Sequence, residues 1–289
     1  LRNSNISYNS YPTSTNEIPS ITSKTISIPL QFYFCKNPAL AIPLCALQTS
    51  EVIIQIEIED VEKLYQIKHN SQYVSPNYYN NLNNTNININ TFVKTNDLYA
   101  YIETQYIYLN ENERKLITVN RRNNIFLIEE IEKRSLEMSE ITKNIELDLN
   151  TPVKEIIWTM KTKNYKNYNT PMNYTDNGNH IMKSAKILWN KSNERVQDKD
   201  TIFYGKIQPY QHHTSIPKDG IYCYSFSLYP EKWQPSGYYN PGGKYPINTI
   251  LQITRDVLLN NLDFYYIDVY IIKYNIFEII GGMGGFKFT

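Results

Sequence analysis

The sequence has few of the residues that mark metal-binding and catalytic sites. It contains only 3 Cys, 4 His and 10 Gly in 289 residues, and its cysteines do not have the spacing of metal ligands. Neither a run of about 18 apolar residues nor the charged and then apolar segment of a signal peptide is present, so no membrane-spanning segment is predicted. We therefore expect no cofactor, no metal and no transmembrane segment.

The sequence also lacks an excess of charge. Its 29 Lys and Arg residues against 28 Asp and Glu residues leave a net charge of +1, whereas binding to phosphate backbones normally requires clustered cations. Only the stretch 161–168, KTKNYKNY, interleaves cations with aromatic rings in a way that suits base stacking. In a chain with 26 Tyr such a pattern is expected without function, and we expect no direct contact with nucleic acid.

The abundant residues are Tyr, Ile and Asn. Tyr and Ile favour strands with one buried face, and Asn favours turns and caps. With 41% hydrophobic and 20% charged residues, the chain is typical of a globular protein with one large domain or two ordinary ones. Composition therefore predicts an all-β protein with polar loops.

Alternating hydrophobicity locates the strands. Val52, Ile54, Ile56 and Ile58 lie on one side of a period-two pattern, which predicts a strand. Residues 125–140 fit a strand, a helix or one of each. Other strands are predicted at 98–109, 145–149, 153–160, 180–189, 220–229, 249–253 and 262–280. About eight short strands separated by turns favour a two-sheet sandwich or jelly roll over a βαβ fold.

Two polar stretches interrupt this pattern. Residues 1–25 show no period and are interpreted as an extended arm, and the Asn-rich residues 69–91 are the best candidate for a linker. Between later strands, Asn110 is followed by Glu111 and Glu113, which predicts a capped short helix with an acidic first turn.

Few residues suggest chemistry. His212 and His213 form the single histidine cluster, but a cupin-like metal oxygenase would need His-x-His with a following Glu, and Glu231 is the next one. The Gly-rich stretches 241–244 and 281–287 lack P-loop spacing and are interpreted as turns. We predict a loop pair of histidines and no enzyme activity.

Four sequons of the form Asn-x-Ser/Thr occur in the chain. The asparagines taken as their acceptors are Asn5, Asn84, Asn173 and Asn190. Chance produces several in an Asn-rich chain, so they make only candidate N-glycosylation sites.

Four blocks of the sequence resemble the major capsid proteins of nucleocytoplasmic large DNA viruses. They occur in the family's order and span nearly the whole chain: IPLQFYFCKNPALAIPLCALQTSEV (28–52), PVKEIIW (152–158), YSFSLYPEKWQPSGYYN (224–240) and NIFEIIGGMGGFKFT (275–289). The blocks also have physical interpretations: Asn37-Pro38 and Ile42-Pro43 break an apolar segment into turns, and the closing glycines let the last strand end against another backbone.

The resemblance implies a fold and an assembly. The family's subunit has two consecutive eight-stranded jelly rolls, and three subunits form a pseudo-hexagonal capsomer. By comparison, residues 1–66 would be the last strands of a first roll, 67–94 an Asn-rich linker and 95–289 a complete second roll. Since the sequence begins at Leu1, we expect a fragment whose first-roll strands lack partners.

The resemblance also implies function and partners. It points to a structural major capsid protein in the outer shell of an icosahedral virion, forming homotrimers assembled in the host cytoplasm. The implied partners are neighbouring capsomers and minor capsid proteins, with indirect contact to an internal viral membrane. The long loops 161–179 and 205–219 would lie at the rim or outer face.

One departure from the family keeps alternatives open. After Gln234-Pro235-Ser236-Gly237 the family usually has an Asn-Phe-Ser-Arg-like segment, whereas this chain has YYNPGGK at 238–244. A divergent capsid paralogue is therefore an alternative. A glycan-binding jelly roll or spike module is another, supported by the many Tyr residues and by Trp233 in a loop.

Overall fold

A computed structural model describes most of the chain. The described residues are 25–60, 63, 66–83, 100–119, 124–147, 149–163, 165–190, 193–232, 234–242, 247–257 and 265–288. The chain divides into two compact units: the first contains 1–30, 53–108 and 164–172, and the second contains 31–52, 109–163 and 173–289. The second unit is thus built from three separate stretches of sequence.

The helices of the described residues lie mainly in the connections between strands. The helices are α1 (Tyr33–Lys36), α2 (Pro76–Asn83), α3 (Glu111–Val119), α4 (Tyr165–Tyr168) and α5 (Gln208–His212), with a 3-10 turn at Pro38–Leu40 and a π-helical turn at Phe203–Ile207. The strands are β1 (Ile67–His69), β2 (Gln72–Val74), β3 (Ile125–Met138), β4 (Thr142–Leu147), β5 (Val153–Thr162), β6 (Thr175–Asp176), β7 (Asn179–His180), β8 (Met182–Trp189), β9 (Asn193–Asp200), β10 (Ile221–Ser225), β11 (Thr249–Arg255), β12 (Tyr265–Ile280) and β13 (Met283–Phe286).

Nine of these strands form two antiparallel sheets in the second unit, and eight of them are the long strands of a roll. The first sheet has the order β3-β12-β5-β10, with β13 pairing the far end of β12, and the second has the order β4-β11-β8-β9. When the eight long strands are numbered along the chain, the two sheets read 1-8-3-6 and 2-7-4-5. This interleaving of first and last strands is the jelly-roll topology, and it confirms the predicted all-β fold class.

The core lies between the two sheets. Trp158, Ile267 and Val269 from the first sheet face Ile187 and Leu251 from the second, and all are fully buried. These side chains occupy alternate positions on their strands, as the period of a strand requires. The core is therefore the product of the alternating pattern in the sequence.

An aromatic pair closes the core beside the β9–β10 connection. The rings of Trp158 and Tyr204 meet edge to face at 5.0 Å, and the buried Tyr204 hydroxyl donates a hydrogen bond to the Ala185 carbonyl at 3.0 Å. Because the hydroxyl has a partner, burial of this Tyr carries no unsatisfied polar group.

Most strand predictions in the second unit are confirmed, and the ambiguous residues 125–140 form the single long strand β3. The strand β9 was not predicted, because NERVQDKD contains one apolar residue, Val196. Such a polar composition suits an edge strand, which must avoid pairing with other chains. The strand predicted at 220–229 ends at Ser225, where the Ser225 hydroxyl donates to the Ser227 carbonyl at 2.7 Å and turns the chain.

Two other strand predictions are wrong. Residues 52–58 and 100–109 run without strand pairing in the described part of the chain, and positions 98 and 99 of the strand predicted at 98–109 lie outside it. Most of their apolar side chains are exposed, including Ile53 at 80% and Tyr108 at 88%. An alternating sequence becomes a strand only when a neighbouring strand accepts its backbone hydrogen bonds. Here the described residues provide no such neighbour.

The first unit joins parts of the chain that are distant in sequence. Within the stretch predicted as a linker, β1 and β2 form a hairpin and α2 follows it. The Ser75 amide donates to the Asn167 carbonyl at 2.6 Å, and the Gln66 side chain donates to the Tyr168 carbonyl. Two Asn-rich loops therefore fold against each other.

The predicted cap of α3 is present. Asn110 Oδ1 accepts a hydrogen bond from the Glu113 amide at 2.9 Å, and Glu113 Oε2 accepts one from the Asn110 amide at 2.8 Å. This reciprocal pair is a capping box, which satisfies two amides at the helix start. The sequence pattern thus located the helix start correctly.

Candidate assembly surfaces

Two of the four predicted glycosylation sites lie in described residues, and both are in turns. Asn173 lies in a turn where its Oδ1 accepts hydrogen bonds from the Thr175 amide at 3.2 Å and the Thr175 hydroxyl at 3.0 Å. Asn190 lies in the β8–β9 turn with φ of +49°, and its Oδ1 accepts from the Asn248 amide at 3.2 Å. Asn5 and Asn84 lie outside the described residues. The choice of Asn84 is wrong, because the sequon reads Asn83-Asn84-Thr85 and its acceptor is Asn83, the last residue of α2, whose Nδ2 donates to the Tyr79 carbonyl at 2.9 Å.

The histidine pair is split between two environments. His212 ends α5, and its Nδ1 lies 3.1 Å from the Leu228 carbonyl. His213 is more enclosed, with its Nε2 3.0 Å from Glu155 Oε2 and its Nδ1 3.2 Å from Glu231 Oε1. The two neighbours therefore do not converge on one ligand. In the described part of the chain, no group of three or more His, Cys, Asp or Glu side chains is placed to hold a metal ion.

The surroundings of His213 favour its charged form. Contacts with Cys223 and Glu155 outweigh burial and raise the pKa of His213 to about 10. Burial raises the pKa of the Cys223 thiol, although the neighbouring His213 opposes this. A nucleophilic cysteine needs a lowered pKa and access to a substrate. This Cys–His–Glu arrangement is therefore a structural cluster and not a catalytic one.

A buried carboxylate organises the outer face of the first sheet. Asp268 on β12 accepts a hydrogen bond from the Ser135 hydroxyl at 2.6 Å and from Lys161 Nζ at 3.0 Å, with Lys133 Nζ at 3.6 Å. Burial acts to raise the pKa of Asp268, but the hydrogen bonds from Ser135 and Lys161 outweigh it and the pKa is lowered. Lys161 also lies over the ring of Tyr174. The first cation of the stretch 161–168, whose pattern was not expected to bind nucleic acid, is therefore engaged within the protein.

Residues 31–52, which make up most of the first sequence block, pack against the end of the roll. The Thr49 amide and hydroxyl both donate to the Gly282 carbonyl, at 3.1 and 3.0 Å, and the Gly284 amide donates to Ser50 Oγ at 3.2 Å. Lys36 forms a salt bridge with Glu129 at 3.5 Å. We call residues 31–52 the strap, because they fasten to the β12–β13 hairpin.

The strap also explains the Gly-rich end of the sequence. Gly281 and Gly282 form a two-residue turn with φ of +59° and +85° between Ile280 and Met283, and residues other than glycine rarely adopt such angles. A Cβ on Gly284 would come within 2.9 Å of Leu47 in the strap. The closing glycines therefore permit a tight turn and close backbone packing, as predicted.

Tyr239 lies in the segment after residue 237 where this sequence departs from the family, and it forms part of an aromatic column. Tyr239 stacks between Trp189 at 5.2 Å and Phe226 at 4.9 Å, and the Arg195 guanidinium lies over Trp189 at 5.2 Å. The ring faces contact one another and therefore offer little stacking surface to a sugar. Trp233, which supported the glycan-binding alternative, lies outside the described residues.

The long edge strand β3 carries an apolar surface. Ile125, Leu127 and Ile131 are exposed, the last at 63%, and within the described residues β3 pairs only with β12. Scattered apolar residues need no explanation, but a row along a free edge is typical of an interaction surface. No helix among the described residues is long and apolar enough to cross a membrane.

Comparisons with known proteins agree with this architecture. The family described as "Large eukaryotic DNA virus major capsid protein" matches residues 113–285, and the family described as "Major capsid protein N-terminus" matches residues 6–110. The chain is 29% identical to the major capsid protein of Pyramimonas orientalis virus, over 92% of this chain and 62% of that protein. It is 24% identical to that of Phaeocystis pouchetii virus, over 92% of this chain and 65% of that protein.

Solved structures show the same fold. A quasi-atomic model of the PBCV-1 virus capsid matches 64% of this chain and 55% of its own, with a TM-score of 0.53 and 25% identity. The Faustovirus major capsid protein matches 60% of this chain and 36% of its own, with a TM-score of 0.51 and 14% identity. The chain spans less than two thirds of the length of the two relatives compared above. Since the first family model covers more than half of the chain, this protein belongs to the large eukaryotic DNA virus major capsid protein family.

Proposed function

We propose that this chain is part of a shell subunit that forms trimeric, pseudo-hexagonal capsomers of an icosahedral virion. The observation that carries the proposal is the eight-stranded roll with sheet orders 1-8-3-6 and 2-7-4-5, on which the family match at 113–285 lies. A subunit that offers two similar rolls can tile a near-hexagonal lattice when three copies close by rotation. Such a subunit acts through its surfaces and needs no catalytic site.

Exposed apolar surfaces in both units support this assembly role. The edge of β3 and residues 52–58 and 100–109 leave apolar side chains in contact with water in the isolated chain. Such surfaces favour burial against other protein segments. We propose that the division into 1–66, 67–94 and 95–289 reflects the end of one roll, a connection and a second roll.

Native mass spectrometry of the protein from its natural source tests the proposal. The denatured chain should be heavier than the 34.0 kDa of this sequence, and the native assembly should have three times the denatured mass. A native monomer of 34.0 kDa would contradict the trimer and would favour the alternative of a glycan-binding module.

Membership of the family places the protein in the virion capsid. We propose that it contacts neighbouring capsomers and minor capsid proteins there, that it meets an internal membrane only indirectly, and that it assembles in the host cytoplasm. Cross-linking of intact virions followed by peptide identification tests these partners. Cross-links from the exposed loops to other capsid proteins are expected, and cross-links to the genome would contradict the absence of direct nucleic-acid contact.

A role as a divergent paralogue is the second candidate. The segment after residue 237 departs from the family's usual sequence, yet Tyr239 fills a place between Trp189 and Phe226 and forms a backbone bridge with Val153. The departure is therefore compatible with a well-packed roll. Quantifying this chain relative to other capsid proteins in purified virions separates the two roles, because the principal shell protein must be the most abundant.

We also propose that Asn173 and Asn190 can carry N-linked glycans. Both residues lie in turns at the surface of the roll, which is where an acceptor must lie. Asn173 is the better candidate, since its side chain is exposed and its hydrogen bonds are made to Thr175 of its own sequon. The side chain of Asn190, in contrast, is held by the amide of the distant Asn248.

A further inference from the structure

The carboxylate of Glu155 is buried on β5, beside residues of the hydrophobic core. Its side chain is 5% exposed, and its neighbours Ile156 and Trp158 belong to the core. In the described part of the chain, the one cationic group within 4 Å of this carboxylate is the His213 imidazole. A buried carboxylate without a positive partner is strongly unfavourable.

His213 joins three separate parts of the second unit. Glu155 lies on β5, Cys223 lies on the adjacent strand β10, and Glu231 lies in the turn after β10. The Thr214 amide donates to Glu231 Oε2 at 3.1 Å, which fixes this second carboxylate against the residue after His213. Nε2 and Glu155 Oε2 lie 3.0 Å apart without the alignment of a hydrogen bond, so the contact is mainly one of charge.

We propose that protonated His213 is a latch that holds the end of α5 and the turn around Glu231 onto the β5–β10 sheet, and that loss of its proton opens this corner and uncovers Cys223. The inference goes beyond the shell function and does not depend on it. It makes the corner between residues 208 and 232 a conformational switch that responds to alkaline conditions.

The direction in which stability changes with pH follows from the direction of the pKa shift of His213. The pKa of His213 is raised above its ordinary value, so its contribution to stability is complete below about pH 6.5. That contribution decreases as pH rises and is lost when the folded protein releases the proton, near pH 10. The latch is therefore closed at neutral pH.

Other titratable groups surround the latch. On β10, burial raises the pKa of Cys223, so this thiol does not supply a negative charge at neutral pH. In the turn, hydrogen bonds from Thr214 and His213 lower the pKa of Glu231, so it stays ionised. On β12, burial followed by Glu129 and Glu155 raises the pKa of Tyr274, while Lys154 on β5 pairs with Glu129.

Thiol labelling of Cys223 tests the latch directly, because Cys223 is buried and its side chain interacts with His213. The experiment uses the full-length protein with Cys35 and Cys45 changed to Ser, and a small maleimide at pH 7.5, with modification at Cys223 followed by peptide mass spectrometry. H213Q should label about tenfold faster than the parent, because an ion pair has been broken and the corner opens locally. D219N is the control, because it removes only the exposed pair with Lys206, and it should label at the parent's rate.

Two further measurements complete the test. The double variant E155Q/H213Q, which removes the unpaired charge, should label more slowly than H213Q. In the parent, the labelling rate divided by that of the unfolded chain at the same pH should rise between pH 7.5 and 10.5, while this ratio stays flat in H213Q. Equal rates in H213Q and D219N, or a flat ratio in the parent, would overturn the latch.

Discussion

Gly220 lies directly against the backbone of Tyr174. A Cβ atom on Gly220 would be 2.2 Å from the Tyr174 carbonyl oxygen and 2.6 Å from its Cβ, and the φ angle of Gly220 is +85°. The approach brings the start of β10 against the residue before β6. Glycine is required here for both space and conformation.

This relationship gives a first prediction with an internal control. G220A should lower the free energy of unfolding by about 3 kcal/mol or more, since neither backbone can move without disturbing a strand. Gly178 has the same φ of +85°, but a Cβ added there would meet no atom within 4 Å, so G178A should cost only about 1 kcal/mol. Urea unfolding of both variants measures the difference, and equal losses would show that the close approach is not present.

The capping box of α3 gives a second prediction. N110A should destabilise the helix by about 1 kcal/mol, because the Glu113 amide loses its acceptor. Hydrogen exchange of the amides at 113–119 should accelerate accordingly. E111Q is the control: it removes an exposed pair with Lys115 at 2.7 Å, which should contribute about 0.5 kcal/mol or less. An N110A effect no larger than that of E111Q would contradict the cap.

Asp268 gives a third prediction, on pH dependence. Its pKa is lowered in the folded state, so its contribution to stability is present above about pH 4 and is lost as pH falls through the folded pKa. D268N should therefore cost about 2 kcal/mol at pH 7 through weakened hydrogen bonds from Ser135 and Lys161. The difference from the parent protein should shrink at pH 3.

An exposed ion pair serves as the control for Asp268. Lys206 and Asp219 lie 2.7 Å apart at the surface, so D219N should cost less than about 1 kcal/mol at pH 7. Urea unfolding at pH 7 and pH 3 measures the loss in free energy of unfolding for both variants. A D268N loss that is the same at both pH values would exclude the role assigned to the carboxylate charge.

The fourth prediction concerns glycosylation at Asn173. Intact mass measurement of the protein from virions should show a mass above that of the polypeptide, and N173Q should remove more of this excess than N190Q. Thr175→Ala should act like N173Q, because it destroys the sequon while keeping the asparagine. An intact mass equal to that of the polypeptide would reject both sites.

The sequence predicted the roll well where apolar residues fill the sheet. The strands β5, β8, β11 and β12 contain long apolar stretches with a strand period, and their predicted positions agree with the structure within a few residues. β9 escaped prediction because edge strands are polar. Residues 52–58 have the alternating pattern of a strand but do not form one. The pattern indicates that one face is to be buried, but it does not show whether a neighbouring strand is present to pair with.

The histidine cluster could not have been found from spacing. Glu155, His213, Cys223 and Glu231 are brought together by the register of β5 and β10, and no local motif connects them. One signal was nevertheless present: a glutamate inside the apolar strand sequence VKEIIW must either face water or find a cation. A prediction of sheet register would have been needed to name His213 as that cation.

The hydrogen bond from Thr49 to Gly282 joins positions that are 233 residues apart in the sequence. The roll is therefore not a contiguous module of the sequence, although its eight long strands all lie between residues 125 and 280. Exchanging rolls between related shell proteins would require moving residues 31–52 together with the later segments, since a transplant of the later part alone would leave the β12–β13 turn without its strap. Selection acting on the two ends of this sequence should accordingly be coupled, with changes in the strap matched by changes in the terminal hairpin.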